Sequence, residues 1–258
     1  MKKDILLCEA TPEGIFSAVY YAYEKKMNPN TTVVKLGNIE NYELFAQYSY
    51  VETDYEKAGK VDKTLEKRFG NITYSYLWYA LYSWHKERGD AVYHTIARGL
   101  AKAYQGELIN YLQDPYVMLV TKLRQNVWCE AHHFMGFVRF QELKHKMLYS
   151  EIHPQNDILP IIGEHFANRF LQENFIIKDT GRNLYLVHEA NREIVFFKKE
   201  QEEFQVSEGM ISEEEEEIQN LFRIFHDTIA IKERRNLKLQ SQLLPFRFRE
   251  HMIEFDTV

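Results

Sequence analysis

The stretch GFVRFQELKHKMLYSEIHPQNDILPIIGEHFANRFLQENFIIKD, residues 136–179, decides the fold because its period changes twice. Residues 137–142 and 146–152 have the composition and alternation of half-buried strands and read as a hairpin. Residues 157–170 switch to helical spacing, with Pro160 in the first turn, where a missing N–H is tolerated. Strand patterning returns at residues 175–179, 184–188 and 194–197, with Thr180-Gly181-Arg182-Asn183 as a hairpin turn. The order is ββαβββ, which predicts an antiparallel sheet with one helix on a face.

Towards the N-terminus the period is helical from residue 54 to residue 135, with candidate helices at residues 55–69, 74–88, 90–104 and 115–135. The last is the clearest, since Asp114-Pro115 opens it, Gly136 closes it, and Val120, Leu123, Val127, Ala131 and Phe134 form a stripe. Residues 4–8 read as a buried strand, followed by a helix capped by Thr11 with Pro12 at its first position. Two further short strands at residues 32–36 and 48–52 complete a small N-terminal βα layer. Gly14 lies in a strand-to-helix turn, but neither GxxxxGK[ST] nor GxGxxG is present, so that turn is structural.

Towards the C-terminus a glutamate-rich segment at residues 200–217 is a linker or a capped helix start. Ile218, Leu221, Phe222 and Phe225 continue it as a helix to about Arg235. The expected class is α+β: a helical region and an antiparallel sheet with the small βα layer. The expected parts are residues 1–135, 136–199 and 200–258, packed as one compact unit.

The 258 residues are 45% hydrophobic and 14% aromatic, which excludes wholesale disorder. No apolar run approaches the roughly 20 residues needed to cross a bilayer, and Met1-Lys2-Lys3-Asp4 leads into a strand rather than a signal segment. Two cysteines are too few for a disulfide framework, so a cytoplasmic location is expected, with no membrane partner. The net charge of -6 is local: residues 200–217 hold nine glutamates and no basic residue, leaving 32 basic against 29 acidic side chains elsewhere. Residues 232–251 are modestly basic, a footprint that fits either a solvated tail or a phosphate-facing surface.

Residues 128–170 contain five of the ten histidines, together with Arg139, Glu151 and Arg169. Arg124, Trp128 and His132 share one helix face, where a guanidinium, an indole and an imidazole can meet a phosphate and a base; the alternative is that Trp128 packs against the neighbouring sheet. Glu130 and His133 form an E-x-x-H pair, but the second such pair, Glu142 and His145, lies in strand-and-turn sequence, so a di-metal site fails. A mononuclear site on His133, His153 and His165 lacks HExxH, HxH or CxxC spacing, and no metal or cofactor is expected. The strand-to-helix connection at residues 151–157 gathers Glu151 and His153 as acid–base candidates, with Asn156 or Asp157 as the plain helix cap.

Taken together, EAHHFMGFVRFQE (residues 130–142), LYSEIHPQNDILPIIGEHFANRF (148–170), FIIKD with Arg182, and LPFRF (244–248) resemble a bacterial family that carries the label "probable DNA metabolism protein", built on an uncharacterised domain. The start at residues 9–15 fits as well, so the resemblance covers nearly the whole chain. It implies DNA repair or modification, with DNA and a radical SAM protein as partners; in some members a similar domain is fused to a uracil-DNA glycosylase-like domain. No glycosylase domain is present in these 258 residues, so that activity is not carried over. His133, Met135 and the closing Arg-Phe-Arg depart from the family pattern.

The expectation is a nucleic-acid-binding protein using Arg139, Arg169, Arg182, Arg247 and Arg249, with His132, His153 and Glu151 lining the adjacent cleft and no assigned reaction. The alternatives are a non-catalytic module docking on the radical SAM protein, and a metal-dependent enzyme. The sequence does not decide whether the protein is an enzyme.

Overall fold

A computed structural model describes residues 3–38, 41–101, 107–198, 210–249, 252–253 and 255. The chain divides into two compact units, Met1–Cys129 and Glu130–Val258. The dividing point falls within one long helix, two turns before its end.

The first unit is built on β1 (Lys3–Cys8), β2 (Thr32–Leu36) and β3 (Ala46–Val51), a parallel sheet in the order β2-β1-β3. As the central strand, β1 buries Ile5, Leu6 and Cys8. Helix α1 (Pro12–Glu24) starts as its sequence directs: the Thr11 hydroxyl accepts from the Gly14 N–H at 3.1 Å, and Pro12 takes the first position. A Cβ at Gly14 would lie 2.6 Å from the Glu9 carbonyl oxygen, so the turn itself demands the glycine.

Helices α2 (Tyr55–Arg68), α3 (Asn71–Leu81) and α4 (Arg88–Leu100) complete this unit with the first part of α5 (Pro115–Phe137). The helix expected at residues 74–88 instead starts at Asn71 and stops at Leu81. Beyond it, the Ser83 hydroxyl accepts from the His85 N–H at 3.3 Å, a local bond that competes with helix continuation. The end expected for the next helix, at residue 104, lies outside the described residues. Phe16, Leu65, Leu77, Val92 and Leu123 are among the side chains that fill the core between helices and sheet.

The second unit contains the end of α5, then β4 (Gln141–Leu143), β5 (Met147–Ile152), α6 (Leu159–Arg169), β6 (Asn174–Asp179), β7 (Leu184–His188) and β8 (Val195–Lys198). The α+β class and the ββαβββ order hold, and the strands form one sheet in the order β4-β5-β6-β7-β8. One pairing corrects the expectation of an antiparallel sheet: β5 and β6 run parallel, from Met147 beside Asn174 to Ile152 beside Asp179. The intervening α6 carries the chain back to the end where β5 began, which is the connection that a parallel pair requires. The other three pairings are antiparallel.

α6 buries Ile162 and Phe166, and a Cβ on its Gly163 would overlap Leu186 of β7. No side chain caps α6 at Ile158, contrary to the expected Asn156 or Asp157 cap, because Asn156 is turned to another partner. Phe140, Phe166, Phe170 and Phe175 form an edge-to-face cluster at 5.3–5.6 Å about Phe140.

Residues 210–212 join the sheet edge beyond β4, with Ser212 N–H donating to the Glu142 carbonyl at 3.0 Å. The same serine caps α7 (Glu213–Ile229) by accepting from Glu215 N–H at 3.1 Å. That cap, together with five glutamates at the positive end of the helix dipole, starts the helix earlier than the apolar stripe alone suggested; it also ends at Ile229, short of the expected Arg235. Gln219 of α7 is buried, whereas Ile218, Leu221, Phe225 and Ile229 are more than half exposed. The short helix α8 (Leu237–Leu243) follows. Among the described residues no helix is long and apolar enough to cross a membrane.

Candidate functional site

In the second unit, the carboxyl ends of the parallel pair β5 and β6 face the loops at residues 153–158 and 180–183, the end of a parallel pair at which α/β proteins place ligands. The loops are held by two buried carboxylates. Glu130, on the last turns of α5, accepts from Gln155 N–H at 3.0 Å, Asn156 N–H at 2.8 Å and the Asn156 side-chain amide at 2.6 Å. Arg247 approaches the same carboxylate at 3.5 Å. A charge buried to this depth is stable only when hydrogen-bonded and paired, and here it is both.

Asp179, at the end of β6, accepts from the Gly181 and Arg182 N–H groups at 3.0 and 3.2 Å and from the Arg182 guanidinium at 2.9 Å. Burial still pushes its carboxyl above the ordinary range, against the lowering effect of Arg182. Arg182 also donates to the carbonyls of Pro154 and Gln155, so it ties the two loops together.

Beside this braced corner, a small hollow opens between the end of α5, the end of β5 and the 3-10 turn Phe246–Phe248. Its polar rim is Arg139, Glu151, His153 and Arg247, and Phe134, Phe137 and Phe248 are among the apolar side chains lining it. His133, Phe137 and Phe248 form a triangle of rings, with His133 6.0 Å from Phe137 and 5.2 Å from Phe248, and the two phenylalanines 5.9 Å apart. Arg247 lies 4.7 Å over the Phe248 ring.

Glu151 is half-buried and accepts from the Tyr149 hydroxyl at 2.6 Å and from Lys178 Nζ at 3.4 Å. Lys178 is itself buried and sits 5.9 Å over the Tyr185 ring. Burial, and then the bond to Glu151, raise the Tyr149 hydroxyl above its ordinary pKa and keep it a donor. His153 is exposed, with Nδ1 2.8 Å from the Thr180 hydroxyl, which fixes its ring beside the hollow. Cations on the rim can meet phosphate oxygens, a carboxylate and an imidazole stand beside them, and of the three phenylalanine rings Phe134 and Phe248 are buried while Phe137 is half-buried and can meet a planar group.

Four of the eight residues singled out from the sequence converge here: Arg139, Glu151, His153 and Arg247. Four do not line the hollow. Arg182 braces the loops, and Arg249 closes its own turn by donating to the Leu244 carbonyl. Arg169 lies over Phe170 at the end of α6, and His132 is exposed on α5. Trp128, in the first unit, is 5.9 Å edge-to-face from Tyr79 of α3 with the Arg124 guanidinium 5.6 Å over its ring, so it packs on a helix. No group of three or more His, Cys, Asp or Glu side chains that could hold a metal ion occurs among the described residues.

Sequence reasoning missed Glu130 as the loop anchor. The signal was present: Glu130 follows Val127 by three residues and precedes Phe134 by four, so it lies on the apolar stripe itself. Lys178 was missed because strand alternation alone does not separate a buried lysine from an exposed one.

Residues 86–254 match the model of a family described as a domain of unknown function, DUF4130. The chain belongs to this family. No curated protein matches the chain. Among solved structures it is similar to one described as a member of the s1p family of ribosomal proteins, DHH domain, at 10% identity over 74% of each chain with a TM-score of 0.33. Likeness at that level carries no argument. The DUF4130 match includes every residue of the hollow and of the loops behind it.

Proposed function

We propose that this DUF4130 chain binds single-stranded nucleic acid at the hollow and acts in DNA repair or modification. One observation carries the reading: Arg139, Arg247 and His153 surround an aromatic lining on a corner that two buried carboxylates hold rigid. Phosphates would take the arginines and a base would stack on Phe137, the half-buried ring of the lining, the combination by which proteins hold single strands with little sequence preference. Glu151 and His153 then stand where a proton could be moved, and the reaction is left unassigned. The DNA context comes from the family resemblance described above.

The test is anisotropy of a labelled single-stranded oligonucleotide across a salt series. Binding should weaken as salt rises, and the double variant R139A/R247A should flatten the slope of log affinity against log salt by about 2. R169A should leave the slope unchanged. No binding at low ionic strength sinks the proposal.

The second reading, a module that docks on a radical SAM protein, is supported by the exposed Tyr42, Leu44 and Phe45 of the first unit. Co-purification of the two proteins checks it, and loss of the complex in L44S/F45S is the expected outcome.

A further inference from the structure

The helix face singled out in the sequence by Arg124 and Trp128 lies in the first unit. These two residues fall one turn apart on α5, and Tyr76 and Tyr79 fall one turn apart on α3. The four side chains meet. The Arg124 guanidinium lies 4.9 Å over the Tyr76 ring, 5.7 Å over Tyr79 and 5.6 Å over Trp128, and Tyr79 stands edge-to-face against Trp128 at 5.9 Å. Three rings therefore hold one guanidinium in place.

The rings supply no counter-charge. Helix α3 has no charged residue, and residues 115–129 of α5 hold Lys122 and Arg124 but no acid. Arg98, in the same unit, is arranged differently and pairs with Asp114 at 3.0 Å. Among the described residues Arg124 has neither an acidic partner nor a hydrogen-bond acceptor. Its Nε is enclosed without one, and the two Nη atoms form the edge left open to solvent. A half-buried cation attracts an anion more strongly than one fully in water, because water and salt screen it less. Its fork matches two oxygens of a phosphate, and the rings have already removed much of its rotamer freedom.

We propose that the open edge of Arg124 is a phosphate-binding site of the first unit.

Titration of the R139A/R247A protein with AMP at constant ionic strength, followed by tryptophan fluorescence, tests this. That background removes two cations of the hollow, so failure of the nucleic-acid reading given above does not decide the outcome here. AMP should bind saturably and change the emission, since Trp128 packs on the guanidinium that the phosphate engages, and adenosine should not. Arg124→Gln should weaken AMP binding at least about tenfold with an unchanged circular-dichroism spectrum. Arg124→Lys keeps the charge but loses the fork, and should weaken it several-fold; it decides the matter if Arg124→Gln does not fold. Lys122→Gln, at an exposed position two residues away, should leave the affinity unchanged. Absence of AMP binding overturns the inference, as does equal binding of adenosine. An affinity indifferent to the Arg124 variants would make the stack a brace between helices and nothing more, and equal losses in K122Q and R124Q would mean diffuse charge; either result overturns it. A single strand without terminal phosphates then separates the two sources of the group. Displacement of AMP by the strand assigns the site to a backbone phosphodiester, and indifference assigns it to a free nucleotide.

Discussion

Helices α5 and α7 carry apolar side chains at the same three- and four-residue spacing and use them in opposite directions. In α5, Val120, Leu123, Val127, Ala131 and Phe134 are all buried. In α7, Ile218, Leu221, Phe225 and Ile229 stand in solvent while Gln219 is buried. Periodicity thus reveals that a helix has an apolar side, but not which neighbour receives it. The polar side is as informative: α5 turns Lys122, Gln125 and Asn126 outward, and α7 ties Glu215 and Gln219 to each other on its inner face.

The contrast breaks first under truncation of the stripes. Leu123→Ala should cost about 2–5 kcal/mol in urea denaturation, because it leaves a cavity in a packed core. Ile218→Ala, the matching cut in α7, should shift stability by less than about 0.5 kcal/mol, since its side chain is mostly in water. Equal losses at the two positions would mean that α7 is packed like α5.

The next effect concerns the acid on the buried stripe of α5. Glu130→Ala removes three hydrogen bonds and leaves the Asn156 donors without their acceptor, a loss of about 1–3 kcal/mol. Glu130→Gln keeps an acceptor and should lose less. In crystals of Glu130→Ala, movement of Gln155 and Asn156 is the expected change, and an unmoved loop would count against Glu130 as its anchor.

The smallest effect is a pH slope. Burial raises the Asp179 carboxyl above its unfolded value, so this acid adds stability at low pH and withdraws it as pH rises through the folded-state value. The window begins at the ordinary carboxylate value of about 4 and extends upward from it. Asp179→Asn lowers stability overall by weakening the Arg182 bonds, and it should also flatten the slope of unfolding free energy in that window. An unchanged slope would place the titration elsewhere.

Much of this was legible in the sequence, and the exceptions have physical causes. The helix at Pro115, the strand order of the second unit and the turn at residues 180–183 follow from period and turn chemistry. The parallel β5–β6 pairing does not, because alternation along a strand is the same in both directions, and only the presence of a helix between two strands hints at the crossover. At the site, Glu151, His153 and Arg139 could be read because they sit where a strand or helix ends. Arg247 drew notice for its charge and for its place in the LPFRF motif, and its position at the hollow is a long-range fact. Arg182 and Arg249 were read as surface cations, yet their guanidiniums are spent on backbone carbonyls. Sequence cannot distinguish an arginine that faces a ligand from one that ties down a loop.

The β5-α6-β6 crossover also sets a sequence of events in time. β4 and β5 are joined by a tight turn in which His145 and Lys146 take positive φ, and such a hairpin closes locally within microseconds. β6 can join only once the intervening residues have brought the chain back to the end where β5 began. During that interval β5 presents a bare row of N–H and C=O groups to any other newly made chain, the condition under which strands recruit strangers. The exposed Lys144 and Lys146 at the hairpin tip act as charged guards over the start of that edge.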